Sequence, residues 1–97
     1  MLILIPINEQ KEIVAELSAS QWALIEFDEG AIKSTKFFAS KDDVDAPWVD
    51  FVILLNKFEN YLEFMEAGSM VLVVRNEKHI DDIMEAFKFK ELDEVGM

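Results

Sequence analysis

The chain begins with a continuous apolar run, Leu2-Ile3-Leu4-Ile5-Pro6-Ile7. Such a run suits a strand covered on both faces. Pro6 has no amide hydrogen to give a ladder, so it belongs near the strand's end or at an unpaired position. Asn8 to Leu17 places Ile13, Val14 and Leu17 on one side and predicts a short first helix, marginal without packing. Gln21 to Asp28 and Ala31 to Phe38, rich in aromatic and β-branched residues, flank Glu29-Gly30 and predict a hairpin with positive φ at Gly30. On its first strand Ala23, Ile25 and Phe27 share one face, and Trp22 and Leu24 the other. Lys33 and Lys36 mark the second strand as an edge.

Ala39 to Trp48 is the most polar stretch and reads as a loop with one helical turn. Asp50 to Leu55 predicts another buried strand. Asn56 followed by Glu59 resembles a capping box. Phe58, Tyr61, Leu62 and Met65 then recur at helical spacing and predict an amphipathic helix, ended by Gly68 in a left-handed conformation. Met70 to Val74 is a further buried strand. Asn76 or His79 caps a last helix with the stripe Ile80, Ile83, Met84 and Phe87, and Glu91 to Met97 reads as a frayed tail.

These elements assemble as an α/β fold, a five-stranded mixed sheet of order 3-2-1-4-5 with only strand 2 antiparallel and helices packed on the sheet. Residues 1–97 are read as a single domain with its core at about 1–90. About ten residues join the third strand to the fourth, with an extended reach of roughly 33 Å against a diagonal of roughly 23 Å. A full helix does not fit there. One face is therefore thinly covered, by Phe37, Phe38, Trp48 and the first helix.

Composition adds mainly exclusions. Twenty acidic residues face nine basic ones, a net charge of −11, and the bases form no run. This field repels nucleic acid and anionic membrane surfaces. No apolar run approaches the roughly 20 residues of a membrane span. There is no cysteine, so disulfides, chain-ligated iron–sulfur clusters and cysteine nucleophiles are excluded. A cytoplasmic location is expected.

Several local phrases then line up. Trp22-Ala23-Leu24-Ile25-Glu26-Phe27-Asp28-Glu29-Gly30 makes a strand ending in an acidic residue and glycine. Val49-Asp50-Phe51-Val52-Ile53 leads to a helix closing on Glu66-Ala67-Gly68, and Asp81-Asp82-Ile83-Met84-Glu85-Ala86-Phe87 makes the final helix. In this order, over roughly residues 1–90, the chain resembles the dinitrogenase iron–molybdenum cofactor biosynthesis domain family. The resemblance implies a ribonuclease-H-like fold and a non-enzymatic, carrier-like binding domain. The chain departs from the family pattern at three points. The family's His-Phe-Gly phrase is replaced by Val14-Ala15-Glu16-Leu17-Ser18-Ala19-Ser20, glycines after the fourth strand by Asn56-Lys57, and the connection before that strand is shortened.

The candidate binding positions are therefore Asn8, Ser18, Ser20, Asn56 and Lys57, which the topology places at the carboxyl ends of the strands, where open α/β sheets receive ligands. No cofactor, catalytic residue or metal ligand is assigned. His79 is the only histidine and reads as a helix cap. Asp42, Asp43, Asp45 and Asp50 lack calcium-loop spacing and read as a solvated loop. Ribonuclease-H-like nucleases hold magnesium on carboxylates, one of them in the first strand, and Leu2 to Ile7 contains none. Five scattered serines have no nucleophile-elbow context. The rival reading is a protein-interaction module or homodimer using the acidic surface and exposed aromatics, with Phe64 and Phe89 placed off their helical stripes.

Overall fold

The computed structural model describes residues 1–46 and 48–95. β1 (Leu2–Ile7) is central. β2 (Gln21–Asp28) pairs with it antiparallel from Leu2↔Glu26 to Ile7↔Gln21, and β3 (Ala31–Phe38) closes the hairpin as an edge strand. The turn residues Glu29 and Gly30 have φ of 53° and 77°, the pair of positive values a tight two-residue hairpin needs. On the other flank β4 (Phe51–Leu54) runs parallel to β1, and β5 (Met70–Val73) parallel to β4. β4 meets β1 only at Ile3 and Leu4, so Pro6 lies beyond the part of β1 that β4 reaches.

The order is β3-β2-β1-β4-β5-β6, so the expected five strands become six. β6 (Asp93–Glu94) pairs antiparallel with β5, and β2 is thus not the only antiparallel strand. The expected fraying of the tail is corrected by the same observation. Leu92 is 8% exposed and pins the chain, and the Val95 amide donates to the Val71 carbonyl at 3.0 Å. The last two residues of that stretch lie outside the described residues.

Alternation sorts the sheet into two cores. Ile3, Ile5, Ile7, Ala23, Ile25, Phe27, Ile53 and Leu72 face α2 (Ile80–Lys88), whose Ile80, Ile83 and Met84 are buried against them. Leu4, Trp22, Leu24, Val52, Leu54, Val71 and Val73 face the opposite way. The second core is covered by Phe64 of α1 (Leu62–Glu66) and by loop residues Ala19, Val44, Ala46 and Val49, with Phe38 from the edge. Phe37 pairs with Ala23, which puts it on the α2 side of the sheet, and Trp48 is exposed. The expected cover thus survives only in Phe38.

Two predicted helices change. Asn8 to Leu17 forms a turn and a short 3-10 segment at Glu16–Ser18. The Asn8 side-chain oxygen accepts from the Gln10 and Glu12 amides at 2.9 and 3.0 Å, and Lys11 takes φ 64°. A side chain that captures nearby amides offers the backbone an alternative to helix. After β4, Asn56 Oδ1 accepts from the Phe58 amide at 2.9 Å, so Phe58 sits in a turn and helix begins only at Leu62. The expected stripe is rotated: Phe58 is 86% exposed, whereas Phe64, expected outside the core, is 8% exposed.

Candidate functional site

The two ends of the sheet are built differently. At the carboxyl ends of the parallel strands the chain leaves β1 toward β2 and leaves β4 toward β5. Connections that part in opposite directions from adjacent parallel strands open a crevice, the usual ligand position of such sheets. All five positions singled out in the sequence lie in the loops at this end.

Their polar groups are largely engaged within their own loops. Asn8 Oδ1 is occupied as described. Ser20 approaches the Ile7 carbonyl through both its amide (3.1 Å) and its hydroxyl (3.5 Å). Asn56 Oδ1 holds the Phe58 amide, and Lys57 is exposed with its ammonium 5.6 Å from the Phe58 ring centroid. Ser18 is exposed, and its amide donates to the Ala15 carbonyl at 2.9 Å.

A residue that sequence reasoning treated only as a capping partner joins these loops. Glu59 Oε2 accepts from the Asn56 amide at 3.0 Å, and its Oε1 accepts from the Glu16 amide at 2.6 Å. One carboxylate therefore ties the loop after β4 to the loop before β2. Glu16 itself is titrated upward from the ordinary carboxylate value. Burial is the main cause, opposed by Lys41 at 4.0 Å and reinforced by Glu59 and Glu63. Lys41 makes its shorter contact with Glu63, at 2.8 Å.

The opposite end carries a cleft of about 530 Å³ on the α2 side. Its apolar walls come from the starts of the parallel strands (Met1, Phe51, Met70), from Phe27, and from Phe87, Leu72 and Leu92. Phe87 meets Phe27 edge-on at 5.5 Å and Phe51 at 4.9 Å. Lys88, Lys90 and Glu94 complete the lining. Sequence reasoning assigned these aromatics to strand and helix faces one at a time. The available signal was Leu92, the one apolar residue within Lys90-Glu91-Leu92-Asp93-Glu94, placed to fold the tail back.

His79 caps α2, its Nδ1 accepting from the Asp81 amide at 3.2 Å. Asp50 Oδ2 accepts from the Leu2 amide at 2.8 Å and so anchors β1 to β4. Among the described residues no three His, Asp or Glu side chains converge in a way that could hold a metal ion. The five positions read from the sequence offer amides, hydroxyls and one ammonium. The same end also carries the Glu16 and Glu59 carboxylates, Lys41, and the imidazole of His79, whose backbone bridges to Glu12 in the loop after β1. With no thiolate and a single imidazole, whose Nδ1 is engaged by the Asp81 amide, this set does not fit direct ligation of an iron–sulfur or molybdenum cluster, which takes several soft or imidazole ligands.

A mixed sheet centred on β1, with a hairpin on one flank and helix-linked parallel strands on the other, defines an α/β class of which solved examples exist. The crystal structure of a "putative dinitrogenase" from Methanocaldococcus jannaschii matches with a TM-score of 0.80 and 17% identity, covering 99% of this chain and 95% of that one. An NMR structure bearing the same description, from Methanococcus jannaschii, gives 0.82 and 20% identity, with 100% and 94% covered. The protein PH0822 gives 0.74 and 14% identity, with 97% and 94% covered. The fold resemblance read from the sequence agrees with these neighbours. No protein-family model matches the sequence, and no curated protein aligns with it significantly.

Proposed function

We propose that this chain is a non-enzymatic, carrier-like binding domain, a divergent relative of the nitrogenase metal-cofactor carriers, which receives its ligand at the carboxyl ends of β1 and β4. The observation that carries this reading is the likeness of fold to a dinitrogenase-related structure, at a TM-score of 0.82 over the whole chain. The parting of the β1 and β4 connections supports the placement of the ligand. Because the candidate positions offer amides, hydroxyls and the Lys57 ammonium, and the chain has no thiolate, the ligand is held by hydrogen bonds and charge, without metal–sulfur bonds.

Anaerobic titration with an iron–sulfur–molybdenum precursor, and separately with molybdate, tests this by absorbance and equilibrium dialysis. The expected result is saturable retention of an anionic species with unchanged cluster absorption bands, weakened by Lys57→Gln. Retention of neither probe sinks the reading.

The protein-interaction reading has its own support in Leu17, Phe58 and Leu62, three large apolar side chains exposed in the segments at this same end. Phe89 is also exposed, as expected, but Phe64 is buried and drops out of that surface. Sedimentation at several concentrations tests it: self-association abolished by Phe58→Ser supports it, and a concentration-independent monomer removes the homodimer.

A further inference from the structure

We propose that the aromatic cleft at the amino ends of β1, β4 and β5 binds a small amphiphilic anion, a monocarboxylate carried on an apolar body. Its volume of about 530 Å³ falls within the roughly 300–1,000 Å³ of small-molecule sites, which are mostly apolar with a few placed polar groups. The floor is pre-formed. Phe87 is held edge-on between Phe27 and Phe51, so the rings are fixed before any ligand arrives. Met70, at the mouth, is 48% exposed and offers an adaptable apolar contact.

The rim supplies the charge selection. Lys88 and Lys90 both line the cleft, in a chain with twenty acids and nine bases. Carboxylates are in excess, yet neither lysine forms an ion pair among the described residues. Glu94 shares the lining without reaching either of them within ion-pair distance. Lys88 is also positioned. Its stem crosses the hairpin turn so closely that a Cβ on Gly30 would lie 3.2 Å from Lys88 Cε. Lys90 follows two residues on, at φ 59° in the turn that ends α2. Two ammonium groups at the edge of an aromatic pocket select a carboxylate headgroup and repel an amine of the same length. This site lies at the other end of the sheet from the carrier loops, so it stands or falls independently of the function proposed above.

The test uses the full chain and 1-anilinonaphthalene-8-sulfonate as a fluorescent occupant, displaced by decanoate, 3-phenylpropionate, decylamine or acetate. Saturable one-to-one displacement by decanoate or 3-phenylpropionate is expected, with decylamine and acetate at least tenfold weaker. Decanoate winning over 3-phenylpropionate identifies an acyl chain, and the reverse identifies an aromatic acid. Lys88→Gln combined with Lys90→Gln should weaken decanoate about tenfold, and Met70→Trp should block it, with folding checked by circular dichroism. Amide chemical shifts on titration should move at Phe27, Phe51, Phe87 and Leu92. Equal displacement by decylamine, no effect of the paired lysine variant, or shifts confined to Asn8, Ser20 and Asn56 would each overturn the assignment.

Discussion

The two faces of the sheet are covered by different means. One carries α2, nine residues long, with a regular apolar stripe and an Ile83 that is fully buried. The other carries a five-residue helix, two 3-10 turns and loop segments, yet its core holds Trp22, Leu24, Val52, Leu54 and Phe64, all buried. Burial is thus comparable, while regular structure is not. Cover does not require a helix, provided that the loops carry apolar side chains and their polar backbone is satisfied. On this face Ser69 does part of that work, its hydroxyl donating to the Val49 carbonyl at 2.7 Å.

The sharpest way to break this comparison is to truncate one side chain on each face. Ile83→Ala should cost about 3–4 kcal/mol, the range for removing a fully buried branched side chain. Phe64→Ala, which removes the contact with Trp22 at a ring separation of 6.1 Å, should cost about 3 kcal/mol. Phe58→Ala should stay within about 0.5 kcal/mol. Urea denaturation measures all three. A Phe64→Ala cost below about 1 kcal/mol would mean that the loop face is not a packed core.

Glu59 should give the next largest effect. Glu59→Ala leaves the amides of Glu16 and Asn56 without their acceptor, and hydrogen bonds to a charged group contribute about 1.5–3 kcal/mol. A loss of about 2 kcal/mol is expected, together with faster hydrogen exchange at those two amides. Faster exchange at the α2 amides instead would show that the clip acts on the wrong face.

The same contrast explains what could be read from the sequence. The hairpin was legible to the residue because Glu29-Gly30 has one common use between two alternating strands. The α2 stripe was legible because nine residues give a full repeat of burial. The helix after β4 was misread because two side-chain captures delay its start: Asn56 takes the Phe58 amide locally, and Glu59 takes the Glu16 amide across 43 positions. No window along the chain contains that partner. Asn8 undid the first helix by a capture within four residues, a signal that was present but outweighed by the apolar spacing. β6 was missed because two acidic residues carry no strand preference; they pair through backbone once Leu92 has docked. At the candidate site, topology placed the loops correctly, but the carboxylate joining them is a tertiary fact.

The ends of the two helices sharpen the contrast further. Both close with the same pair of bonds. In α1 the Ser69 amide reaches the Phe64 carbonyl at 3.0 Å and Gly68 reaches Met65 at 3.0 Å. In α2 Glu91 reaches Ala86 at 2.9 Å and Lys90 reaches Phe87 at 3.1 Å. The left-handed position is glycine in one and Lys90 in the other, with φ of 96° and 59°. A side chain there costs about 1–2 kcal/mol relative to its preferred conformation. Lys90→Gly should therefore stabilise the fold by about 1 kcal/mol. Gly68→Ala should destabilise it by about 1 kcal/mol from φ alone, since a Cβ there meets nothing within 4 Å. Thermal denaturation of the two variants should move in opposite directions, and shifts of the same sign would refute the equivalence of the two ends.

The smallest effect expected is the pH response of Glu16, a feature of the loop-covered face alone. Its folded-state pKa lies above the ordinary 4.5 because burial penalises the charge, with Glu59 and Glu63 adding to the penalty and Lys41 opposing it. The folded state then binds the proton more tightly than the unfolded chain does. The stabilising contribution is present below 4.5 and is lost as pH rises through the raised value. Asp93 acts with the opposite sign. The hydrogen bonds from Arg75 hold it below its ordinary 3.8, so its contribution is present above that value and fades in acid. Wild-type stability alone mixes the two, and a subtraction separates them. Glu16→Gln cannot titrate, so the melting temperature of this variant should gain on the wild type as pH rises from 4.5 through the raised value. Asp93→Asn should trail the wild type above about pH 4 and close the gap as the pH falls through the lowered value. A Glu16→Gln difference that is flat with pH would mean that the carboxylate is as well solvated in the folded chain as in the unfolded one, and that the loop cover does not exclude water at Glu16.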